Sequence, residues 1–227
     1  SSQETGLIAL AHVEQAIERW YERQERAAKE MVIQVGADIA RFGDDQSCTA
    51  LRRESNFIDP LRYASMEDTM QTAGRLAGIL HAHPEAVCLV DVVGLGSGVV
   101  DRLREQGFAV KAINAGERTD MKDKSGELGF VSVRAAAWWH MREMLDPSSM
   151  ANVALPDDPL LIGDLTAPKW TPTSGGKIQV ESKDAIKMRL GRSTDSGDAV
   201  VQAFWEGETT ETETAVVQAE AEYRVED

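Results

Sequence analysis

Two short apolar runs each end in an aspartate, and no other feature of the sequence restricts the fold as much. Val32–Ala37 leads into Asp38, and Ala86–Val90 leads into Asp91. Runs of this length and composition read as strands, and the second, continuous and apolar, suits a strand covered on both faces. A carboxylate ending such a run needs a partner, because removing it from water without compensation is costly. Neither residue stands at an obvious helix cap, the ordinary place for a lone aspartate. If the two strands are neighbours in one sheet, their terminal carboxylates converge. Asp195 and Asp198 open the last helical stretch of the body and can supply a third acid to the same place.

The elements around these runs predict an α/β fold. Residues 31–38, 47–53 and 56–64 read as a three-stranded antiparallel meander. Asp68–His83 has helical spacing and stops before Pro84. Residues 86–92 and 109–113 read as further strands, with a helix over 97–106 between them. Val133–Leu145 is a helix, residues 146–166 with their three prolines read as irregular, and Pro172–Gly176 marks a hairpin between 167–171 and 177–181. Helices over 182–190 and 196–205 close the body. A meander extended by parallel strands and flanked by helices satisfies the crossover rules for a mixed sheet. Residues 1–30 read as an amphipathic lead-in helix, with no starting Met. Residues 31–205 form the body, and 206–227 an acidic tail with too few large apolar residues to pack.

Charge bears on function. The net charge is −14, and the tail from Glu206 onward carries eight acids against Arg224 alone, so half of the excess lies outside the body. The body is still acidic and lacks the usual basic footprint of a nucleic-acid binder. Cys48 and Cys88 are too few for a disulfide framework, which points to a reducing compartment. No segment has the length of a membrane span or the pattern of a secretion signal.

Several carboxylates gathered in one place repel unless cations neutralise them, and hard divalent ions with oxygen ligands, magnesium or manganese, do this well. Two such ions about 4 Å apart can activate water against a phosphodiester and stabilise the leaving oxygen. Taken singly, Asp44, Asp45 and Asp195 suit a turn or a cap better. Gly94-Leu95-Gly96-Ser97-Gly98 lacks the lysine of a nucleotide-binding loop. It serves as a tight strand-to-helix turn, as a place where a phosphate can come close, or both. Arg134 stands at a helix start, unfavourable to the helix dipole, and so needs an acidic partner or DNA. Trp138 and Trp139 read as core and docking residues. Lys183 and Arg192 flank the last acidic motif and Lys177 lies at the hairpin. All three are candidates for phosphate contacts, with surface charge as the plain alternative.

These segments together resemble the C-terminal nuclease domain of the large terminase subunit of tailed bacteriophages. Gly36–Asp45 is similar to the family's Gly-x-Asp-x-Ala-x-x-Gly-x-Asp motif, and Val90–Gly96 to its second acidic motif. Val180–Lys183 with Arg189–Ser193 resembles the stretch before the third, and Asp195–Ala199 the third itself, with Thr194 in place of the usual Pro and Gly197 of the usual Ala. Leu7–Arg19 resembles the helix that joins the nuclease to an upstream ATPase domain.

The resemblance implies a ribonuclease-H-like fold and a metal-dependent endonuclease that cuts concatemeric viral DNA during packaging. It implies Asp38, Asp91 and Asp198 as catalytic ligands of two Mg2+ or Mn2+ ions, with Asp44 and Asp195 auxiliary. Implied partners are double-stranded DNA, the portal protein, the small terminase subunit and the ATPase domain of the same subunit, in the host cytoplasm and away from membranes. Three other readings fit parts of the pattern: a structure-specific resolvase of the same fold, a catalytically silent docking module, and one lobe of a sugar-kinase or actin-like ATPase, for which the chain has no room for the second lobe. The acidic body carries its own expectation, weak intrinsic affinity for DNA. A gel-shift titration giving nanomolar binding at physiological salt would contradict it.

Overall fold

The structure, a computed structural model, describes residues 5–40 and 46–209. Asp44, Asp45 and the tail beyond residue 209 lie outside the described residues. The elements in chain order are β1 (Thr5–Gly6), α1 (Leu10–Ala27), β2 (Val32–Asp38), β3 (Ser47–Arg53), β4 (Arg62–Ala64), α2 (Thr69–Ala82), β5 (Val87–Asp91), α3 (Gly96–Glu105) and β6 (Val110–Ile113). They continue with α4 (Val133–Leu145), α5 (Pro159–Thr166), β7 (Lys169–Pro172), β8 (Ile178–Val180), α6 (Lys183–Leu190) and α7 (Asp195–Phe204). Among the described residues no helix is long and apolar enough to cross a membrane.

The main sheet has the order β4-β3-β2-β5-β6. β2, β3 and β4 pair antiparallel, while β5 and β6 add in parallel to β2. This is the expected mixed sheet, a meander extended by parallel strands. One difference lies in the third strand, expected over 56–64 and observed only at Arg62–Ala64. Asn56 takes a left-handed φ of 60° and Pro60 has no N–H to give the ladder, so the chain turns before it re-enters the sheet. The second difference is α5, inside a stretch expected to be irregular. Asp158 caps it by accepting from Leu160 and Leu161 N–H, and Pro159 occupies the first helical position, where a missing N–H costs nothing.

Strand alternation divides the core. Val35, Ala37, Cys88 and Val90 face α2 and α3 with Leu76, Val99 and Leu103. Leu89, Cys48 and Ala50 face the other layer, made of α7, α4 and the elements packed on them. Nearly every residue of α7 is buried, so this helix is a core element sandwiched between the sheet and α4–α5 rather than a surface helix. Its closeness to the sheet depends on Gly36. A Cβ at this position would lie 2.0 Å from the Ala199 carbonyl oxygen and 2.5 Å from Ala203 N, both backbone atoms that cannot swing aside.

The lead-in helix α1 is tied into the body at several points. Leu7, Ile8, Val13 and Ala16 are buried, β1 pairs with β7, and Arg19 donates to Val153 O while Trp20 donates to Ile58 O. The small sheet β1-β7-β8 is docked in turn by Trp170, which meets Trp139 edge-on at 4.9 Å. At the other end of the body, Glu206 pairs with Arg52 and Glu208 accepts from Thr119 Oγ1, so residues 206–208 are still held to it.

Gly36 and Gly78 make a matched test. Gly36→Ala is expected to cost about 3 kcal/mol or more, because the added methyl meets backbone. Gly78→Ala, inside α2 with nothing within 4 Å of its Cβ position, is expected to be neutral or to gain about 0.5–1 kcal/mol from helix propensity. Urea denaturation of the two variants checks both.

Candidate active site

The parallel register of β2 and β5 sets Ala37 beside Val90, so Asp38 and Asp91 follow at neighbouring strand ends. By alternation both are on the same side as Gly36 and Leu89, the side on which α7 lies. The carboxyl ends of parallel strands are where α/β sheets place their ligands. The strand-to-helix turn after Asp91 is forced to be tight: Gly94 has a φ of 97°, and a Cβ on Gly96 would sit 1.8 Å from the Asp91 carbonyl oxygen. The small residues there are therefore required by the turn itself. Asp91 accepts from Val93 N–H at 3.0 Å and from the backbone N–H of Ala115.

α7 begins above this edge. Thr194, its N-cap residue, makes no side-chain cap bond. The cap comes instead from Asp164 of α5, whose Oδ2 accepts from Ser196 N at 3.1 Å, from Gly197 N at 3.2 Å and from the Ser196 hydroxyl, while Oδ1 pairs with Arg192. Gly197 lets this happen, since its Cβ position is only 3.0 Å from Asp164 Cβ and from the Trp138 ring. The first turn of α7 then presents Asp195 and Asp198 toward Asp38 and Asp91, and both acids gain from the positive end of the helix dipole.

A lysine ammonium is at the centre of the cluster. Lys183 Nζ, at the start of α6, lies 2.8 Å from Asp38 Oδ2, 3.1 Å from Asp195 Oδ1 and 3.4 Å from Asp198 Oδ2. Asp198 also pairs with Arg134 of α4 and accepts from Trp138 Nε1 at 2.9 Å and Thr194 Oγ1 at 2.9 Å.

The protonation balance follows from this crowding. Burial pushes Asp38 well above the usual carboxylate range; Lys183 opposes that shift, and Asp198 and Asp195 add to it. Burial also raises Asp91, and the nearby charge of Asp198 contributes in the same direction. Burial alone would raise Asp198 too, but Arg134 and Lys183 outweigh it and hold the group down at about 2. Burial works against the charge on Lys183, and Asp38, Asp198 and Asp195 overcome it, so the ammonium stays protonated well above its ordinary value. Asp38 and Asp195 then depend on the one ammonium, while Asp198 has Arg134 as well. One ammonium is too little positive charge for the acids around it.

The candidate residues thus fall into three groups. Asp38, Asp195 and Asp198 share the Lys183 ammonium, and Asp91 stands beside them. Arg192 is paired with Asp164 although its side chain is partly exposed, and Lys177 is exposed beside the hairpin turn, where its backbone N–H donates to Thr173 Oγ1. Asp44 lies outside the described residues. The sequence reading missed Asp164 altogether, although it is an acid inside the apolar run of α5 and so carries the same signal that singled out Asp38 and Asp91. Arg134 was flagged as needing a partner, and that partner is Asp198.

Loss of the shared cap is expected to weaken the start of α7. Asp164→Ala, which leaves two buried N–H groups unpaired and Arg192 without its carboxylate, is expected to cost about 2–4 kcal/mol in chemical denaturation, and Asp164→Asn clearly less. Equal stability of both variants and the wild type would show that Asp164 does not hold the helix start.

No family model matches this sequence, and no curated relative matches it. Solved structures do. The nuclease domain of the large terminase subunit gp2 of bacterial virus Sf6 superposes with a TM-score of 0.73 at 16% identity, over 90% of this chain and 100% of that one. A variant of that domain with manganese gives 0.71, over 89% and 100%. The large terminase nuclease of thermophilic phage G20c with bound magnesium gives 0.56 at 16% identity, over 79% and 83%. At this identity the likeness speaks for architecture: the chain has the ribonuclease-H-like fold of the nuclease domains of phage large terminase subunits.

Proposed function

We propose that this chain is a metal-dependent endodeoxyribonuclease that cuts concatemeric viral DNA during genome packaging, with Asp38, Asp91 and Asp198 as metal ligands and Asp195 auxiliary. The observation that carries the reading is the ammonium of Lys183, a cation already held by Asp38, Asp195 and Asp198 at the carboxyl edge of the parallel strands. The solved terminase nucleases with manganese and magnesium support the same reading.

The donor set is all hard oxygen, as magnesium and manganese prefer. Among the described residues no three or more acidic, His or Cys side chains are gathered ready around one point for an ion. Lys183 accounts for that, because the acids have arranged themselves about its ammonium. Its side chain is 35% exposed at the end of a flexible stem, so it can leave the cluster without unfolding anything. The residues therefore fit divalent cations once the ammonium withdraws.

Bound in a pair, such ions would activate a water and stabilise the leaving oxygen of the phosphodiester. The chain's own residues fix the ligands: Val93 and Ala115 N–H groups orient Asp91, while Thr194, Trp138 and Arg134 orient Asp198. Residues 169–192 carry six bases against two acids in a chain of net charge −14, and exposed Lys177 and Lys187 in this segment are suited to DNA phosphates. Packaging would supply the remaining partners: the ATPase domain of the same subunit, the small subunit and the portal, in the host cytoplasm. A junction-resolving nuclease of the same fold is the alternative within the class, and preference for four-way junctions over linear duplex would favour it.

The purified protein is expected to nick or linearise plasmid with Mn2+ or Mg2+, and Asp38→Ala and Asp91→Asn to abolish cleavage. Cleavage at the wild-type rate by those variants, or in excess chelator, would sink the reading. Lys183→Ala is expected to bind Mn2+ at least threefold more tightly by calorimetry, since it removes the competing cation. Unchanged Mn2+ affinity would mean that the ammonium and the metal do not share a site.

A further inference from the structure

The geometry points to Arg134 as a positioning residue that leaves Asp198 one lone pair, and only one, to offer a cation. This rests on the nuclease reading and goes on to state how one ligand of that site is held.

An ionised carboxylate has two oxygens and about four lone-pair directions. On Asp198 three of them are taken by protein. Oδ1 accepts from Arg134 Nη1 and from Trp138 Nε1, and Oδ2 accepts from Thr194 Oγ1. The remaining direction, on Oδ2, faces Lys183 Nζ at 3.4 Å, on the side where Asp38 and Asp195 also meet the ammonium. Asp198 would therefore offer a cation a single oxygen.

Arg134 controls this because it cannot easily let go. Its guanidinium stacks over the Trp138 ring at 5.2 Å, the same ring whose N–H holds Oδ1. Its Nε and Nη2 groups are buried and have no partner among the described residues, so the bond to Asp198 is its principal compensation. If Asp198 turned away, a buried guanidinium would be left without an acceptor, which is the costly way to break an ion pair. The backbone adds a second connection. Arg134 N donates to Ala115 O, and Ala115 N donates to Asp91, so one residue of the β6–α4 connection fixes both the arginine and a second ligand candidate.

Two substitutions at position 134 separate geometry from charge, with cleavage and DNA-free Mn2+ calorimetry as independent readouts. Arg134→Gln removes the charge and the guanidinium plane that lies over Trp138; its kcat is expected to fall at least 30-fold while the KM for DNA changes less than threefold. Its Mn2+ affinity is expected to rise, because Asp198 becomes free to turn both oxygens to the ion. Arg134→Lys keeps the charge without the planar fork and is expected to recover kcat only in part. Trp138→Phe, which deletes one donor to Oδ1 and keeps an aromatic ring, though a smaller one, is expected to lower kcat severalfold with Mn2+ affinity retained, and it serves if Arg134→Gln does not fold.

Arg134→Gln within threefold of wild-type kcat overturns the inference. So does a parallel loss of kcat and Mn2+ affinity, which would make Arg134 only a prop for the fold. Full activity of Arg134→Lys overturns it by showing that charge alone suffices, and wild-type kcat in Trp138→Phe does the same for the Oδ1 clamp. If the wild-type protein cleaves no DNA with Mn2+ or Mg2+, or cleaves it equally well with no divalent metal, the metal-dependent nuclease reading fails by itself. The Mn2+ titrations then still decide the positioning, a rise in affinity in Arg134→Gln supporting it and an unchanged or lower affinity overturning it.

Discussion

Helix α7 touches the sheet almost backbone to backbone, and the rest of the molecule is arranged around that contact. Gly36 is the point of closest approach, where even a methyl would collide with the Ala199 carbonyl. Because the helix lies so low on β2 and β5, its first turn ends above the strand ends that carry Asp38 and Asp91. That closeness lets Asp198 share the Lys183 ammonium with Asp38. The fold and the acidic site are therefore one structural decision, made at a glycine two residues before the first aspartate.

The electrostatics of that site are those of an incomplete salt bridge. Lys183 and Arg134 divide the acids unequally: Arg134 takes one side of Asp198, and Lys183 is shared among Asp38, Asp195 and the other side of Asp198. Burial strengthens each attraction and each repulsion in the same measure. Lys183 is partly exposed, while Arg134 is held between Trp138 and Asp198 and is more deeply buried. The two cations thus have different surroundings: one reaches solvent and is shared among three acids, the other is enclosed and committed to one.

Much of this was legible in the sequence because burial cost is legible. Asp38 and Asp91 stand out as acids ending apolar runs, and the β5 run is continuous enough to read as a doubly covered strand. Residues 133–145 gave a helix whose observed bounds are the same. What escaped did so for physical reasons. α5 was hidden by its own proline, which at a first helical position starts a helix instead of stopping one. Asp164 was lost along with it, since an acid in a presumed loop looks solvated. Lys183 and Arg192 look alike in sequence, as basic residues flanking one motif. Only the fold distinguishes them, sending the first into the acidic cluster and the second to the carboxylate that caps α7. A charged side chain's partner across 28 or 145 positions is not a local property of the chain.

The bonds around Asp198 also bear on how such a sequence can drift. Residues 134, 138, 194 and 198 come from two separate stretches of chain, yet three of them donate to the carboxylate of the fourth, so a change at any one alters how that carboxylate is held. A glutamate at 198 would carry the same charge one methylene further and miss its donors. A neutral residue at 134 would free the carboxylate to turn. The four positions should therefore be inherited as a block, and a lineage that abandons one of them is expected to have rebuilt the other three.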